Sequence, residues 1–219
     1  MRLVGGAVDA RDVDIGPMRL GGVLGVPGEA AGIVLFAHGS GSSRLSPRNN
    51  FVARAMRKRG LATLLLDLLT EQEAQQRRNV FDIQLLAQRL LLATAWCEQE
   101  PDAAGLPICY FGASTGAAAA LVAAASGAAP IAAIVSRGGR PDLAGADLAS
   151  VAAPTLLIVG GADPLVLDLN RSALARLRCE KRLAIVPGAT HLFEEAGALE
   201  TVVGLAGDWF ASHLQTAAA

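Results

Sequence analysis

Short apolar runs alternate with longer amphipathic stretches along this chain. The runs are five or six residues long and lie at 32–37, 61–66, 107–111, 131–135, 154–159 and 182–186. Continuous apolar runs of this length are typical of strands buried on both faces of a sheet. Two leading strands are predicted within 12–26, joined near Gly16-Pro17.

Helical periodicity fills the intervals between these strands. Helices are predicted over 48–59, 115–126, 168–178 and 197–214, and a further one in the stretch VFDIQLLAQRLLLATAW, with its apolar face at Phe81, Leu85, Leu92 and Trp96. This alternation predicts an α/β fold with a mostly parallel central sheet of about eight strands and helices on both faces. We expect one domain over residues 1–219, with no insertion long enough to form a large lid.

Composition and charge narrow the classes of function. The chain has 219 residues, 52% of them hydrophobic, and a net charge of -1. These values predict a folded domain with a sizeable core and argue against a nucleic-acid-binding surface, which normally has excess Lys and Arg. Three widely spaced cysteines, Cys97, Cys109 and Cys179, suggest buried reduced thiols and fit neither a disulfide framework nor a metal site.

Two features bear on localisation. The first 16 residues are charged and lack a long apolar core, so we expect no signal peptide. The Ala-rich stretch 116–135 is interrupted by Gly127 and Pro130, which predicts a buried helix and strand rather than a membrane span. We therefore expect a cytoplasmic protein with no membrane partner. Its oligomeric state is left open.

The strongest chemical signal is GASTG, residues 112–116, directly after one apolar run and before a predicted helix. The pattern G-x-S-x-G in this context is typical of a nucleophile elbow, which would expose Ser114 on a sharp strand-to-helix turn. The competing interpretation is a small-residue helix packed tightly against the sheet, because Ala117 to Ala120 fit that equally well.

A serine nucleophile needs a base and an acid that orients the base. His191, in the loop PGATHLF after the last strand, is the best candidate base. His38 is expected to hold its loop by hydrogen bonding, and His213 to lie at the surface. Asp163 in GGADP is the candidate acid, with rivals at Asp67, Asp142 and Asp168, whereas Glu194 and Glu195 are expected at a helix start.

The order Ser114, Asp163, His191 is the chain order of the α/β-hydrolase triad. The glycine-rich stretch HGSGSS, from residue 38, would leave backbone N–H groups free to bind an oxyanion. The predicted donors are the backbone N–H groups of Ser40 and Thr115, with Gly39 or Gly41 as alternatives to Ser40. No phosphate-loop, dinucleotide-binding or zinc motif is present, so we expect neither a cofactor nor a metal.

With these residues identified, the chain resembles the α/β-hydrolase superfamily, and within it the small dienelactone-hydrolase-like branch. The segments AHGSGSS, YFGASTGAA, LLIVGGADPLV and VPGATHLFEE carry the resemblance and span residues 37–195. It implies an eight-stranded sheet, a Ser–His–Asp triad and hydrolysis of esters or thioesters. Dienelactone hydrolases proper use a cysteine nucleophile, whereas this elbow carries Ser114, so the resemblance favours a serine esterase.

Three loop arginines, Arg44, Arg137 and Arg140, are candidate substrate-binding residues, because arginine favours carboxylate and phosphate partners. The alternative is that they bridge loops, for example to Asp67 or Asp142. The expected substrate is a small-molecule ester. The alternatives in function are a non-catalytic ligand-binding or interaction module on a hydrolase fold, and an enzyme that transfers the acyl group to an alcohol or to peroxide instead of water.

Overall fold

A computed structural model describes residues 10–216 of the chain. Eight strands form one sheet: β1 (Ala10–Ile15), β2 (Leu20–Gly25), β3 (Ile33–Ala37), β4 (Ala62–Leu66), β5 (Ile108–Ala113), β6 (Ile131–Arg137), β7 (Thr155–Gly160) and β8 (Lys181–Val186). Their order is β1-β2-β4-β3-β5-β6-β7-β8. The β1–β2 and β2–β4 pairs are antiparallel and the others are parallel, which confirms the predicted fold class.

The described residues include seven α-helices, of which the last follows β8 and the others lie between strands: α1 (Pro47–Lys58), α2 (Glu71–Ala74), α3 (Arg77–Val80), α4 (Ile83–Gln99), α5 (Thr115–Ala125), α6 (Pro164–Arg176) and α7 (Ala198–Thr216). A 3-10 segment covers Pro141–Ser150. None of the helices between residues 10 and 216 combines the length and the hydrophobicity needed to cross a bilayer. The segment 116–135 forms most of α5 and the first part of β6, as its interruptions predicted.

The core lies in two layers, one on each face of the sheet. Side chains alternate along each strand, so that in β3 Leu35 faces the layer beneath α4 and α5, while Phe36 faces the layer beneath α1 and α7. The carboxyl ends of the six parallel strands meet at one edge of these layers. This is where a parallel sheet places its ligand sites.

Three details differ from the sequence-based expectation. The apolar face of α4 was predicted around Phe81, which is exposed and precedes the helix. The buried positions of α4 are Leu86, Ala87, Leu90, Ala93, Thr94 and Cys97. Strand β8 is partly exposed because it lies at the sheet edge and pairs only with β7. Helix α6 begins four residues earlier than predicted, because Asp163 caps it and Pro164 occupies its first turn.

The short helices α2 and α3 were not predicted. Thr70 and Glu73 form a reciprocal capping box at the start of α2, and this Thr-x-x-Glu spacing is a signal that the sequence does contain.

Candidate active site

Ser114 lies on a sharp turn between β5 and α5. Its backbone has φ +50° and ψ -121°, a conformation that non-glycine residues rarely adopt. The Ser114 carbonyl oxygen accepts hydrogen bonds from the backbone N–H of Ala117 (3.1 Å) and of Arg140 (3.0 Å). A strained serine held in this way between a buried strand and a helix has the geometry of a nucleophile elbow.

Two glycines permit this turn because the chain passes too close to its neighbours for a side chain. A Cβ at Gly116 would lie 2.2 Å from the carbonyl oxygen of Ala37, and one at Gly112 would lie 2.4 Å from the Cα of Ala117. Both obstacles are backbone atoms, which cannot rotate away. Close packing of β3, β5 and the start of α5 therefore sets the position of Ser114.

Asp163 and His191 meet at the carboxyl ends of β7 and β8. His191 Nδ1 lies 2.9 Å from Asp163 Oδ2, while Asp163 Oδ1 accepts from the backbone N–H of Val166 (3.4 Å) and so caps α6. A carboxylate can only accept, so His191 carries its proton on Nδ1 and presents the lone pair of Nε2. The ring is thereby held in the tautomer that a general base requires.

The rival acids have other partners. Asp67 pairs with Arg44, Asp142 with Arg140 and Asp168 with Arg171. Glu194 and Glu195 lie in the loop before α7, and not at a helix start as expected. Glu194 pairs with Arg48, and Glu195 accepts from the backbone N–H of Thr190.

Ser114 and His191 line one cavity of about 200 Å³. Its wall also includes residues from the loop after β3, from the start of α1, and from the end of β6: Gly39, Ser40, Ser42, Ser46, Arg48, Asn49, Ala113, Arg137, Gly138 and Leu192. No hydrogen bond joins the Ser114 hydroxyl to His191 within residues 10–216. Such contacts are often long before a substrate binds.

The two predicted oxyanion donors lie side by side but differ in availability. Thr115 is the first residue of α5, so its N–H has no acceptor inside the helix. The Ser40 N–H donates to Thr115 Oγ1 (2.9 Å). The Ser40 amide is therefore adjacent to the elbow, as predicted, yet it is already satisfied by a side chain.

The other two histidines lie outside this cavity. The Leu68 N–H donates to His38 Nε2 (3.2 Å), which leaves Nδ1 protonated to donate to the Gly39 carbonyl (2.9 Å). Burial lowers the pKa of His38, so it links two loops as a neutral ring. The prediction of a surface His213 is wrong, because its ring packs on Trp209 and is only 11% exposed.

The three loop arginines separate into two groups. Arg44 pairs with Asp67, and Arg140 forms a two-pronged pair with Asp142 (2.9 and 2.8 Å). Neither lines the cavity beside Ser114. Arg137 does line it, together with Arg48, which the sequence analysis did not select. The signal for Arg48 was SPRNN, a helix start directly after the β3 loop.

The cysteines are remote from this chemistry. Cys97 and Cys109 are fully buried, and burial raises the pKa of each thiol to about 12. Cys179 is half-buried. Cys109 lies on β5 with its side chain in the core, five residues before Ser114, and its thiol does not line the cavity.

A larger cavity of about 510 Å³ lies at the amino end of β8, lined by Glu180, Arg182, Leu205, Asp208, Trp209, Ser212 and His213. It is at the wrong end of the sheet for an α/β site and contains no strained nucleophile. Volume alone therefore does not identify the active site.

Comparison with known proteins identifies similar chains of α/β-hydrolase fold. No family model matches the chain. A dienelactone hydrolase of Anabaena variabilis is 55% identical, with a TM-score of 0.88, over 94% of this chain and 97% of that one. Est1E of Butyrivibrio proteoclasticus, at 16% identity and a TM-score of 0.77 over 94% and 99% of the two chains, shares the fold.

Curated relatives from two strains of Mycobacterium tuberculosis are 57% identical over 95% of this chain. They are provisionally named phosphoribosyl transferases, and the chain spans about half (49%) of their length. The Anabaena enzyme, in contrast, is matched along nearly its whole length. With its eight-stranded sheet and its 55% identity to the Anabaena protein, this chain belongs to the dienelactone-hydrolase-like branch of the α/β hydrolases.

Proposed function

We propose that this chain is a serine hydrolase that cleaves a small carboxylic ester or thioester through an acyl-enzyme. The observation that carries the proposal is the strained Ser114, which shares a cavity with a histidine whose Nδ1 is held by Asp163. The family is a family of hydrolases, and the structural neighbours include esterases by name.

In the proposed reaction, His191 Nε2 removes the hydroxyl proton of Ser114 while Oγ bonds to the acyl carbon. The bond from that carbon to the leaving oxygen or sulfur then breaks, and the leaving group takes the proton from His191. Water, deprotonated by the same ring, attacks the acyl carbon. The Oγ–carbon bond breaks, Ser114 regains its proton, and the acid is released.

The oxyanion is proposed to accept from the N–H groups of Thr115 and Ser40. For this the Ser40 N–H must exchange Thr115 Oγ1, its present acceptor, for the substrate oxygen. Donors at this position stabilise the charge that develops during attack, and loss of one costs roughly 10²–10³ in turnover.

Phosphoribosyl transfer, named for the mycobacterial relatives, is not proposed here. Those proteins are about twice as long as the part matched by this chain. Acyl chemistry is proposed for this chain because of its own strained Ser114 and its hydrogen-bonded His191.

The test is hydrolysis of short-chain p-nitrophenyl esters by the wild type and by Ser114→Ala and His191→Ala. Each substitution should lower turnover by about 10⁶-fold, as expected for groups that act together. Ser126→Ala, at the other end of α5, is the matched control and should retain turnover. Full activity in Ser114→Ala would refute the proposal, whereas tight ligand binding without acyl transfer by the wild type would favour a binding module. Competition between water and added alcohol separates hydrolysis from acyl transfer.

A further inference from the structure

Arg137 occupies a special position beside the nucleophile. It is the last residue of β6 and pairs in register with Ala113, so its carbonyl oxygen lies 3.4 Å from the backbone nitrogen of Ser114. Arg137 is 8% exposed and is one of the residues that line the cavity containing Ser114 and His191. The guanidinium is thus close to the site at which the acyl group would be held.

No ion pair to the guanidinium of Arg137 is found in the described part of the chain. Its Nε and Nη1 are buried without a hydrogen-bond partner. The ring of Phe193, 5.8 Å away, is its cation–π partner. Burial, and secondly the charge of Arg48, lower the pKa of Arg137 to about 10, so it stays charged at neutral pH. A buried cation is normally paired, and one left unpaired favours an incoming anion.

Two further positive groups, Arg48 and the amino end of α1, lie at the same cavity. Arg48 lies in the first turn of α1, lines the cavity, and has a buried Nε without a partner. Its Nη1 pairs with Glu194, which is 63% exposed and forms the acidic side of the rim. No acidic residue occupies the first turn of the 12-residue α1, so the partial positive charge of its amino end adds to that of both arginines.

We propose that Arg137, assisted by Arg48, binds a carboxylate on the acyl part of the substrate. This inference rests on the proposed ester hydrolysis and specifies its substrate class as monoesters or monothioesters of short dicarboxylic acids. The cavity of about 200 Å³ holds roughly seven water volumes, which suits an acyl group of about four or five carbons. Because a planar guanidinium favours a carboxylate partner, we expect a carboxylate at the end of the acyl group that is far from the ester.

Arg44 and Arg140 are not part of the proposed carboxylate site. Neither lines the cavity that contains Ser114, as Arg137 and Arg48 do, and each pairs with a carboxylate of the protein, Asp67 and Asp142 respectively. This contrast also supplies the matched control, because Arg140 is three residues from Arg137 and differs in having a partner.

The test compares monoethyl succinate with ethyl succinamate, in which a neutral amide replaces the carboxylate at nearly the same size. The wild type should favour the anion by about 10- to 100-fold in kcat/KM, as expected for a charge-assisted hydrogen bond. Arg137→Met should abolish this preference by lowering kcat/KM for the anion far more than for the amide, and Arg137→Lys should retain part of it. Arg140→Met should keep the preference of the wild type.

The outcomes separate the two proposals. If the wild type cleaves neither ester, nor any short p-nitrophenyl ester, the proposed function fails. If the wild type cleaves both esters equally, or Arg137→Met keeps the preference for the anion, the carboxylate site is wrong while the hydrolase remains. Thermal melting of each variant, with Arg137→Lys as the conservative replacement, shows whether a loss of preference reflects the site or a loss of folded protein.

Discussion

Replacing Arg137 with methionine should stabilise the ligand-free protein. Most substitutions of large buried residues destabilise, because they create cavities or leave partners unsatisfied. Here the buried group is a cation without a counterion, and methionine fills a similar volume without a charge. Replacement of buried charges by apolar residues is often stabilising by about 1–4 kcal/mol.

The magnitude follows from the pKa of Arg137. Burial lowers it from 12.5 to about 10, which corresponds to a penalty of about 3 kcal/mol on the charged form in the folded state. Loss of the contact with the Phe193 ring offsets about 1 kcal/mol of this. The net gain in the free energy of unfolding is therefore about 2 kcal/mol, or roughly 4–8 °C in Tm for a chain of this size.

Differential scanning calorimetry at pH 6, 7 and 8 would measure this gain. Arginine is fully protonated in both states across that range, so the penalty is complete and the gain should not change with pH. It would decline only as the pH rises towards 10. Arg140→Met is the control and should be neutral or destabilising, because it leaves Asp142 without its partner. A lower Tm for Arg137→Met would show that the guanidinium is compensated in the folded protein, and would refute the reasoning.

Three further predictions concern the elbow, the triad and the loop histidine. Gly116→Ala should destabilise the fold by about 1–3 kcal/mol and lower turnover about 100-fold, because the new methyl displaces α5 from the backbone beside it. Calorimetry and turnover assays would measure both effects. The control is Gly204→Ala, since nothing lies within 4 Å of a Cβ there. Asp163→Asn should lower kcat by about 10⁴-fold without loss of fold, because His191 would no longer be held with its proton on Nδ1. An unchanged kcat would exclude Asp163 as the orienting acid. Burial lowers the pKa of His38, so its contribution to stability is complete above pH 6.5 and is lost as the pH falls towards its folded-state pKa. Denaturant titrations should therefore show that the free energy of unfolding falls less between pH 7 and pH 5 in His38→Asn than in the wild type. An equal fall in the two proteins would contradict this.

The sequence predicted the sheet well because its strands are strongly apolar and its connections are short. The candidate site could be predicted for a related reason. Ser114, Asp163 and His191 each follow a strand, and parallel strands bring their carboxyl ends together. The offset in α4 has a physical cause. Leucines surround much of that helix, so the period alone did not distinguish the core face at Leu86 and Leu90 from its flanks.

The arginines show what sequence reasoning did not resolve. Arg44, Arg137 and Arg140 all lie near strand ends and are equivalent by pattern. Their difference depends on through-space partners, and the Arg44 pair joins residues 23 positions apart. The hydrogen bond from the Ser40 amide to Thr115 Oγ1 is likewise a contact across 75 positions that no local pattern encodes.

The central claim is that Ser114 is an activated nucleophile, and labelling with a fluorophosphonate tests it most directly. Intact mass would be measured for the wild type and for Ser114→Ala after identical exposure, with folding of both verified by circular dichroism. One stoichiometric adduct is expected in the wild type and none in Ser114→Ala. A folded wild type without an adduct, or equal labelling of the two proteins, would contradict it.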